Sequence, residues 1–423
     1  MNDMLSFWEP WLRPSAGLAT VQWSLLLAVA TMVGYACQRH AALPKVVGYS
    51  LVGGIAGLIG FGANTAWPLQ GTGLFLLELG VAIVLFECGG RITLRWFRHN
   101  PMVLVQSVAE SALTYVLVSL VLGWLGVAPE VAGPLALVAM AASPLVLTRV
   151  VADMRAAGAV TDRGLVLATL STLYALALGS AKAGMLTQPK PGFVASIMPV
   201  LVVLGVSVAV ALVLAVLMRL ALRFMSPASE NTSILFLTLI SASVPLTSYL
   251  GGSAPLAALL GGILLKQFNP RPWAWPRQLG TAASLLTMLM FVLVSTVAAQ
   301  ADWSAPVAGV VGAVIVARPV AKTLGAAVGS AGTGANWRQA FWVGCAMAPM
   351  SSVALLIASQ FVAAAPELGA QIAGVALPTI LVMEVLGAAL ATVAIYRSGE
   401  SSRPWKPLSR SRSEEHTSEL QSH

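Results

Sequence analysis

Residues Val138–Leu147, VAMAASPLVL, set a proline and a small hydroxylic residue at mid-depth of a segment otherwise apolar enough to cross a bilayer. Proline removes one backbone donor and clashes with the carbonyl a turn earlier, so a helix breaks there. Lipid hydrocarbon cannot satisfy the freed backbone groups, and the break must face protein or a water-filled cavity. Gly344–Leu355, GCAMAPMSSVAL, repeats the theme with the same Ala-Met-Ala run, Pro349 in the role of Pro144, and the pair Ser351 and Ser352. Two interrupted apolar segments at matching places in two halves of a chain point to the substrate site of a secondary transporter. Both breaks are expected to point opposite ways, meet near the bilayer centre and leave unpaired peptide groups that hold a solute.

The surrounding sequence agrees with a membrane setting. Of 423 residues, 57% are hydrophobic and 9% charged, against about a quarter charged in soluble domains. An all-α polytopic membrane protein is expected. With about 20 apolar residues per crossing, thirteen candidate helices fit between residues 18 and 396. The formal charge of +8 does not point to nucleic acid, because the basic residues sit in short loops between apolar runs and no basic patch carries an aromatic platform. Residues 412–423, RSEEHTSELQSH, resemble the in-frame translation of a sequencing-library adapter and are set apart as an artefact. Without them the balance is 23 basic against 13 acidic residues, or +10, so the positive skew belongs to the rest of the chain. Cys37, Cys88 and Cys345 lack metal-ligand spacing and read as small buried hydrophobes. No metal or cofactor is expected, and no cleavable signal peptide is evident. An enzyme is not expected either, since nucleophile, base and orienting group do not cluster on a short motif.

Alternate loops carry Arg39 and Lys45, Arg91 and Arg98, Arg155 and Arg163, Arg219 and Arg223, Lys266, Arg338 and Arg397, while the opposite set carries little beyond Arg13 and Lys190. The positive-inside rule then places the N-terminus outside and the C-terminus in the cytoplasm, in a bacterial-type inner membrane. Gly53-Gly54 and Gly261-Gly262 lie 208 residues apart, and Pro144 and Pro349 lie 205 apart. Both offsets span seven helices, and an odd number reverses direction across the membrane. The transmembrane part, within residues 1–411, therefore divides into inverted repeats at 18–185 and 232–396, a connector helix at 193–217 and a cytoplasmic tail at 397–411. The glycine pairs also suit simple close packing of helices.

Ionisable residues at depth are functional candidates, since each costs at least about 2.5–3.5 kcal/mol to insert. Arg318, in VIVARPVAKTLG, needs a carboxylate, the carbonyl end of a half-helix or a bound anion, and is assigned charge compensation or gating. Glu384, in ILVMEVLGAAL, is the first candidate to bind a proton or cation, Glu110 the second, and Glu78 a weaker third. Lys322 reads as a side chain that snorkels toward the cytoplasm. Glu87 with Arg91, and Arg149 with Asp153, have the i,i+4 spacing of structural ion pairs. Ser171 and Thr172, in LATLSTLYAL, with Ser143, Ser351 and Ser352 at the breaks, offer neutral oxygens to a desolvated cation, although such hydroxyls often only bond back to the preceding turn.

LPKVVGYSLVGG (Leu43–Gly54), LLELGVAIVLFECGG (Leu76–Gly90), AASPLVLTRVV (Ala141–Val151), GSAPLAALLGGILL (Gly252–Leu265) and ARPVAKTLG (Ala317–Gly325) occur in the order found in the monovalent cation:proton antiporter superfamily, which the chain resembles. The resemblance covers nearly all of the membrane part. It implies crossed discontinuous helices in a core domain, a separate dimerisation domain and hence a homodimer, elevator-like alternating access, and a monovalent cation and a proton as partners. Arg318 falls where that superfamily carries a Lys or Arg. One departure stands out. The superfamily places one or two aspartates on the sixth helix, whereas this chain reads Leu170-Ser171-Thr172-Leu173, with no carboxylate between Gly164 and Gly184. A hydroxyl does not titrate near neutral pH, so another acid, Glu384 or Glu110, must couple the proton if exchange is retained. Two other readings compete with antiport: a carrier of an anionic solute using Arg318 and the half-helix N-termini, and a non-transporting membrane protein that keeps the fold.

Overall fold

The computed structural model describes residues 18–61, 71–93, 97, 98, 100–186, 193–227, 229–269, 277–301, 303–330, 336–350 and 352–402; the adapter-like string and Ser351 lie outside them. The described elements are all helical: α1 (Leu18–His40), α2 (Lys45–Leu58), α3 (Gly71–Gly89), α4 (Pro101–Trp124), α5 (Pro129–Met140), α6 (Pro144–Met154), α7 (Ala159–Leu186), α8 (Phe193–Phe224), α9 (Glu230–Tyr249), α10 (Ala254–Phe268), α11 (Arg277–Ala298), α12 (Ala305–Val328), α13 (Trp337–Ala346), α14 (Ser352–Ala364) and α15 (Pro366–Arg397). Eight spans among them are long and apolar enough to cross a membrane, counting α5 with α6 as one, and four shorter apolar helices accompany them.

Both proline-split segments are broken. Ala141, Ala142 and Ser143 separate α5 from α6 in non-helical conformation, and Met347 to Met350 follow the end of α13. At α6 the sequence chemistry explains the restart: Pro144 takes the first helical position, where its missing N–H is no loss, and Ser143 Oγ caps the helix by accepting from the Val146 N–H at 3.3 Å.

The helices gather into two bundles. One holds α4, α5 with α6, α7, α12, α13 with α14, and α15, around an apolar core that includes Met140, Leu167, Met347 and Phe361. The other is formed by α1, α2, α3, α9, α10 and α11, with α8 running from α7 to α10. The pairing repeats itself under exchange of halves. α2 packs on α11 as α10 packs on α3, and α5 packs on α15 as α13 packs on α7. That is the contact pattern of two repeats, and the crossed discontinuous helices lie at their junction.

The glycine pairs act as contact points. A Cβ on Gly53 would sit 2.5 Å from the Val292 carbonyl oxygen of α11, and one on Gly262 would overlap the Phe86 carbonyl of α3. One glycine of each pair thus lets backbones touch where no polar glue is needed. The same device joins α4 to α12: Cβ atoms on Gly325 and Gly329 would collide with the Cα atoms of Glu110 and Gln106. Gln106 Nε2 then donates to the Ala326 carbonyl at 2.8 Å. Gly325→Leu should push these helices apart and lower the melting temperature of the detergent-solubilised protein, an overpacking loss of at least about 1–3 kcal/mol. An unchanged melting temperature would show that the approach is not tight.

At the helix ends, Arg91 pairs with Glu87 at 2.7 Å, as the spacing suggests. Arg149 and Asp153 instead reach other helices. Arg149 donates to Ser284 and Thr287 of α11, and Asp153 accepts from Gln38 of α1 and from the backbone N–H of Lys45. Beyond α15, the Glu400 carboxylate accepts from the Val160 and Thr161 backbone N–H groups, both at 2.7 Å. It thereby satisfies two orphan donors at the start of α7 and places a negative charge at that helix's positive end.

Candidate functional site

Three helices that are each continuous, α4, α7 and α12, converge on the crossing of the two broken ones. Arg318 stands near the middle of α12 with no exposed surface. Its Nε donates to the Ala139 carbonyl at 2.7 Å and its Nη2 to the carbonyls of Ala141 at 2.8 Å and Pro349 at 3.1 Å. Nη1 donates to the Ala348 carbonyl. One guanidinium thus closes the C-terminal ends of both half-helices, α5 and α13. Each end carries roughly half a negative charge from its aligned peptide dipoles, so the two together offset about one cation. The planar fork suits this task, because it presents donors in two directions at once.

Lys322 lies one turn further along α12 and is equally buried. It does not snorkel. Its Nζ is held by Glu110 Oε1 at 2.5 Å, by the Met140 carbonyl at 3.1 Å and by Ser171 Oγ at 3.4 Å. The reason is geometric: Gly325 brings the α4 backbone so close that Glu110 meets the ammonium before it could extend toward the helix end. Glu110 accepts further bonds from Ser111 Oγ and Thr114 Oγ1, both at 3.2 Å. The i+4 spacing from Arg318, visible in the sequence, puts both cations on one helix face, but it does not show that Glu110 of α4 lies within reach of the second.

The hydroxyls of α7 finish the break. Ser171 Oγ donates to the Met140 carbonyl at 2.7 Å, and Thr172 Oγ1 to the Ala142 carbonyl at 2.8 Å and the Ala168 carbonyl at 2.7 Å. Thr169 only bonds back to Leu165. The four carbonyls from Ala139 to Ala142, together with those of Ala348 and Pro349, are therefore all bonded to side chains of the chain itself. This corrects the expectation of unpaired peptide groups waiting for a solute. It also weakens the anion reading, since four of the five guanidinium N–H donors of Arg318 are engaged by carbonyls.

Other candidates fall elsewhere. Ser143 caps α6, and Ser352 opens α14 as a buried residue. Glu384 lies where α15 meets α2 and α11, and its Oε2 accepts from Ser295 Oγ at 2.6 Å. Glu78 accepts from Ser248 in the second bundle. A half-open cavity of about 320 Å³ enters between α3, α6 and α7, lined by Cys88, Arg91, Thr148, Asp162 and Thr169 among others. It brings solvent to within one turn of Thr172.

Crossed, broken helices whose exposed peptide ends are closed by buried cations define a secondary transporter. The Sodium/hydrogen exchanger, transmembrane family matches residues 25–393, and the chain belongs to that family. It is accordingly a multi-pass membrane transporter of the cation:proton antiport class and not an enzyme. Among solved structures the chain is similar to the sodium proton antiporter MjNhaP1 of Methanocaldococcus jannaschii at pH 8, with 16% identity, TM-score 0.67, and coverage of 90% of this chain and 98% of that one. An electron-microscopy structure of the same antiporter gives TM-score 0.57 at 16% identity, covering 95% and 96%. The curated proteins offer no match.

Proposed function

We propose that the chain exchanges a monovalent cation, sodium or potassium, for a proton carried by Lys322. The single observation behind this reading is the cage around Lys322 Nζ: an ammonium held by Glu110 Oε1, the Met140 carbonyl and Ser171 Oγ, in the manner of a desolvated cation among oxygens. Lysine is a cation that can give up its proton, and buried lysines do so readily. When Lys322 is neutral and swings aside, a metal cation takes its place against Glu110. When Lys322 is charged, it displaces the cation. The carboxylate missing from α7 is replaced on α4, and the proton sits on an amine.

The charges balance through the cycle. Arg318 offsets the two helix ends, and Lys322 offsets Glu110, so replacing the lysine proton by one monovalent cation leaves the net charge of the site unchanged. The cavity lined by Arg91, Asp162 and Thr169 is the route by which cations arrive. We place that cavity on the cytoplasmic side of a bacterial-type inner membrane, with thirteen crossings, the N-terminus outside and a homodimer joined through the second bundle, in keeping with the one-sided distribution of basic loops.

The test is proton flux. Protein in sealed vesicles loaded with a pH-sensitive dye should move protons on addition of sodium, potassium or lithium, and the ion giving the fastest flux is the substrate. Lys322→Arg should abolish it while the protein stays folded, because the positive charge remains paired with Glu110 but can no longer be discharged. Undiminished flux in that variant, or no response of the wild type to any cation, would overturn the proposal.

A further inference from the structure

Glu384 is not part of the lysine cage. It sits on α15 at the seam between the two bundles, only 1% exposed. Three contacts fix its surroundings. A Cβ on Gly54 of α2 would lie 3.3 Å from Leu381, just below Glu384, and one on Gly53 would lie 3.0 Å from the Ser295 side chain of α11. Ser295 Oγ in turn donates to Glu384 Oε2 at 2.6 Å. Glu384 Oε1 and Ser50 Oγ are both buried without a hydrogen-bond partner. A carboxyl that carries a proton can donate to the Ser50 hydroxyl, and the hydroxyl can equally donate to a carboxylate, so the cost of burying the charge decides between the two forms.

Among the described residues no cation offsets that charge: Glu384 forms no salt bridge. Of the charged groups on helices packed against α15, Arg318 and Lys322 of α12 are taken by the crossing carbonyls and by Glu110. On α6, Arg149 is taken by Ser284 and Thr287, and Asp153 by Gln38 and the Lys45 N–H. On α2, Lys45 stands at the first residue, and Tyr49 faces Gly34 of α1. Glu130 of α5 and Arg338 of α13 are exposed near helix ends, and Cys345 of α13 is half-buried. An isolated carboxylate in such a place costs so much to keep charged that the group neutralises instead.

We infer that Glu384, Ser50 and Ser295 form a proton-binding site at the seam between the bundles, separate from the exchange site. The proton is bound on Glu384 Oε1 and donated to Ser50 Oγ. Its loss leaves a buried charge without a counter-ion between α15 and the α2–α11 pair, so the packed seam favours the proton. α15 also carries Gly387, where a Cβ would lie 2.6 Å from Pro349 Cα at the α13–α14 break. A change at the seam is therefore one turn away from the crossing, and pH acts on how the two bundles sit against each other.

Infrared spectroscopy of the full chain in lipid vesicles at neutral pH reads this directly. The carbonyl-stretch band of a protonated carboxylic acid should be present in the wild type and lost in Glu384→Gln. Ser295→Ala, which removes a hydrogen bond to the other oxygen, should keep the band and shift its position, and serves if the glutamine variant fails to fold. A folded state that holds a proton the unfolded carboxylate lacks loses stability as pH rises. The wild-type melting temperature should accordingly fall more between mildly acidic and alkaline pH than that of Glu384→Gln. Identical acid bands in wild type and variants, or identical pH slopes, would overturn the site. None of these readouts requires transport, so the result stands apart from whether Lys322 carries protons.

Discussion

Glu110→Gln should be the most damaging single change on α4, and a second substitution should repair its effect on folding without restoring transport. Removing one partner of a buried ion pair leaves the other charge uncompensated, a loss of about 3–5 kcal/mol. Lys322 has no exposed surface and no other carboxylate within bonding distance among the described residues. A glutamine amide can accept one of its protons but cannot neutralise it. In Glu110→Gln with Lys322→Met, both charges leave together, and replacing a buried pair by groups of similar volume is often neutral or stabilising. Melting temperatures should rank wild type and the double variant together, with each single variant well below. Proton flux should be absent from all three variants. Were the two single losses simply to add in the double variant, the pair would not be the coupled unit the geometry describes.

This contrast explains what was legible beforehand. The broken helices could be read because proline acts locally: Pro144 and Pro349 remove a donor whatever surrounds them. The repeat was readable for the same reason, since glycine pairs and basic loops mark positions along the chain. Arg318 was assigned charge compensation, and the structure brings it to the carbonyl ends of both half-helices, one of the partners its sequence position allowed. Lys322 was misread because its fate depends on the distance between α4 and α12, which Gly325 sets by having no side chain. A distance between helices is not written in either helix. The same holds for the carbonyls of the crossing. Their freedom follows from the break, but their occupation follows from which side chains of α7 and α12 reach them.

Arg318→Ala should produce the largest loss anywhere in the chain. It would strip donors from the carbonyls of Ala139, Ala141, Ala348 and Pro349 together. Each buried acceptor left without a partner costs about 1–3 kcal/mol, and four of them rival the whole stability of a typical domain, about 5–15 kcal/mol. The two half-helix ends would also face each other as uncompensated negative poles. Arg318→Lys separates these effects. The ammonium keeps the charge, but as a compact point on a flexible stem it cannot hold both half-helices in a fixed fork. The lysine variant should therefore insert and fold with a lowered melting temperature, while the alanine variant should fail to accumulate in the membrane. Abundance in the membrane fraction and melting temperature of the purified protein measure both. If the alanine variant accumulated and melted like the wild type, the crossing would have another source of donors and Arg318 would not be its keystone.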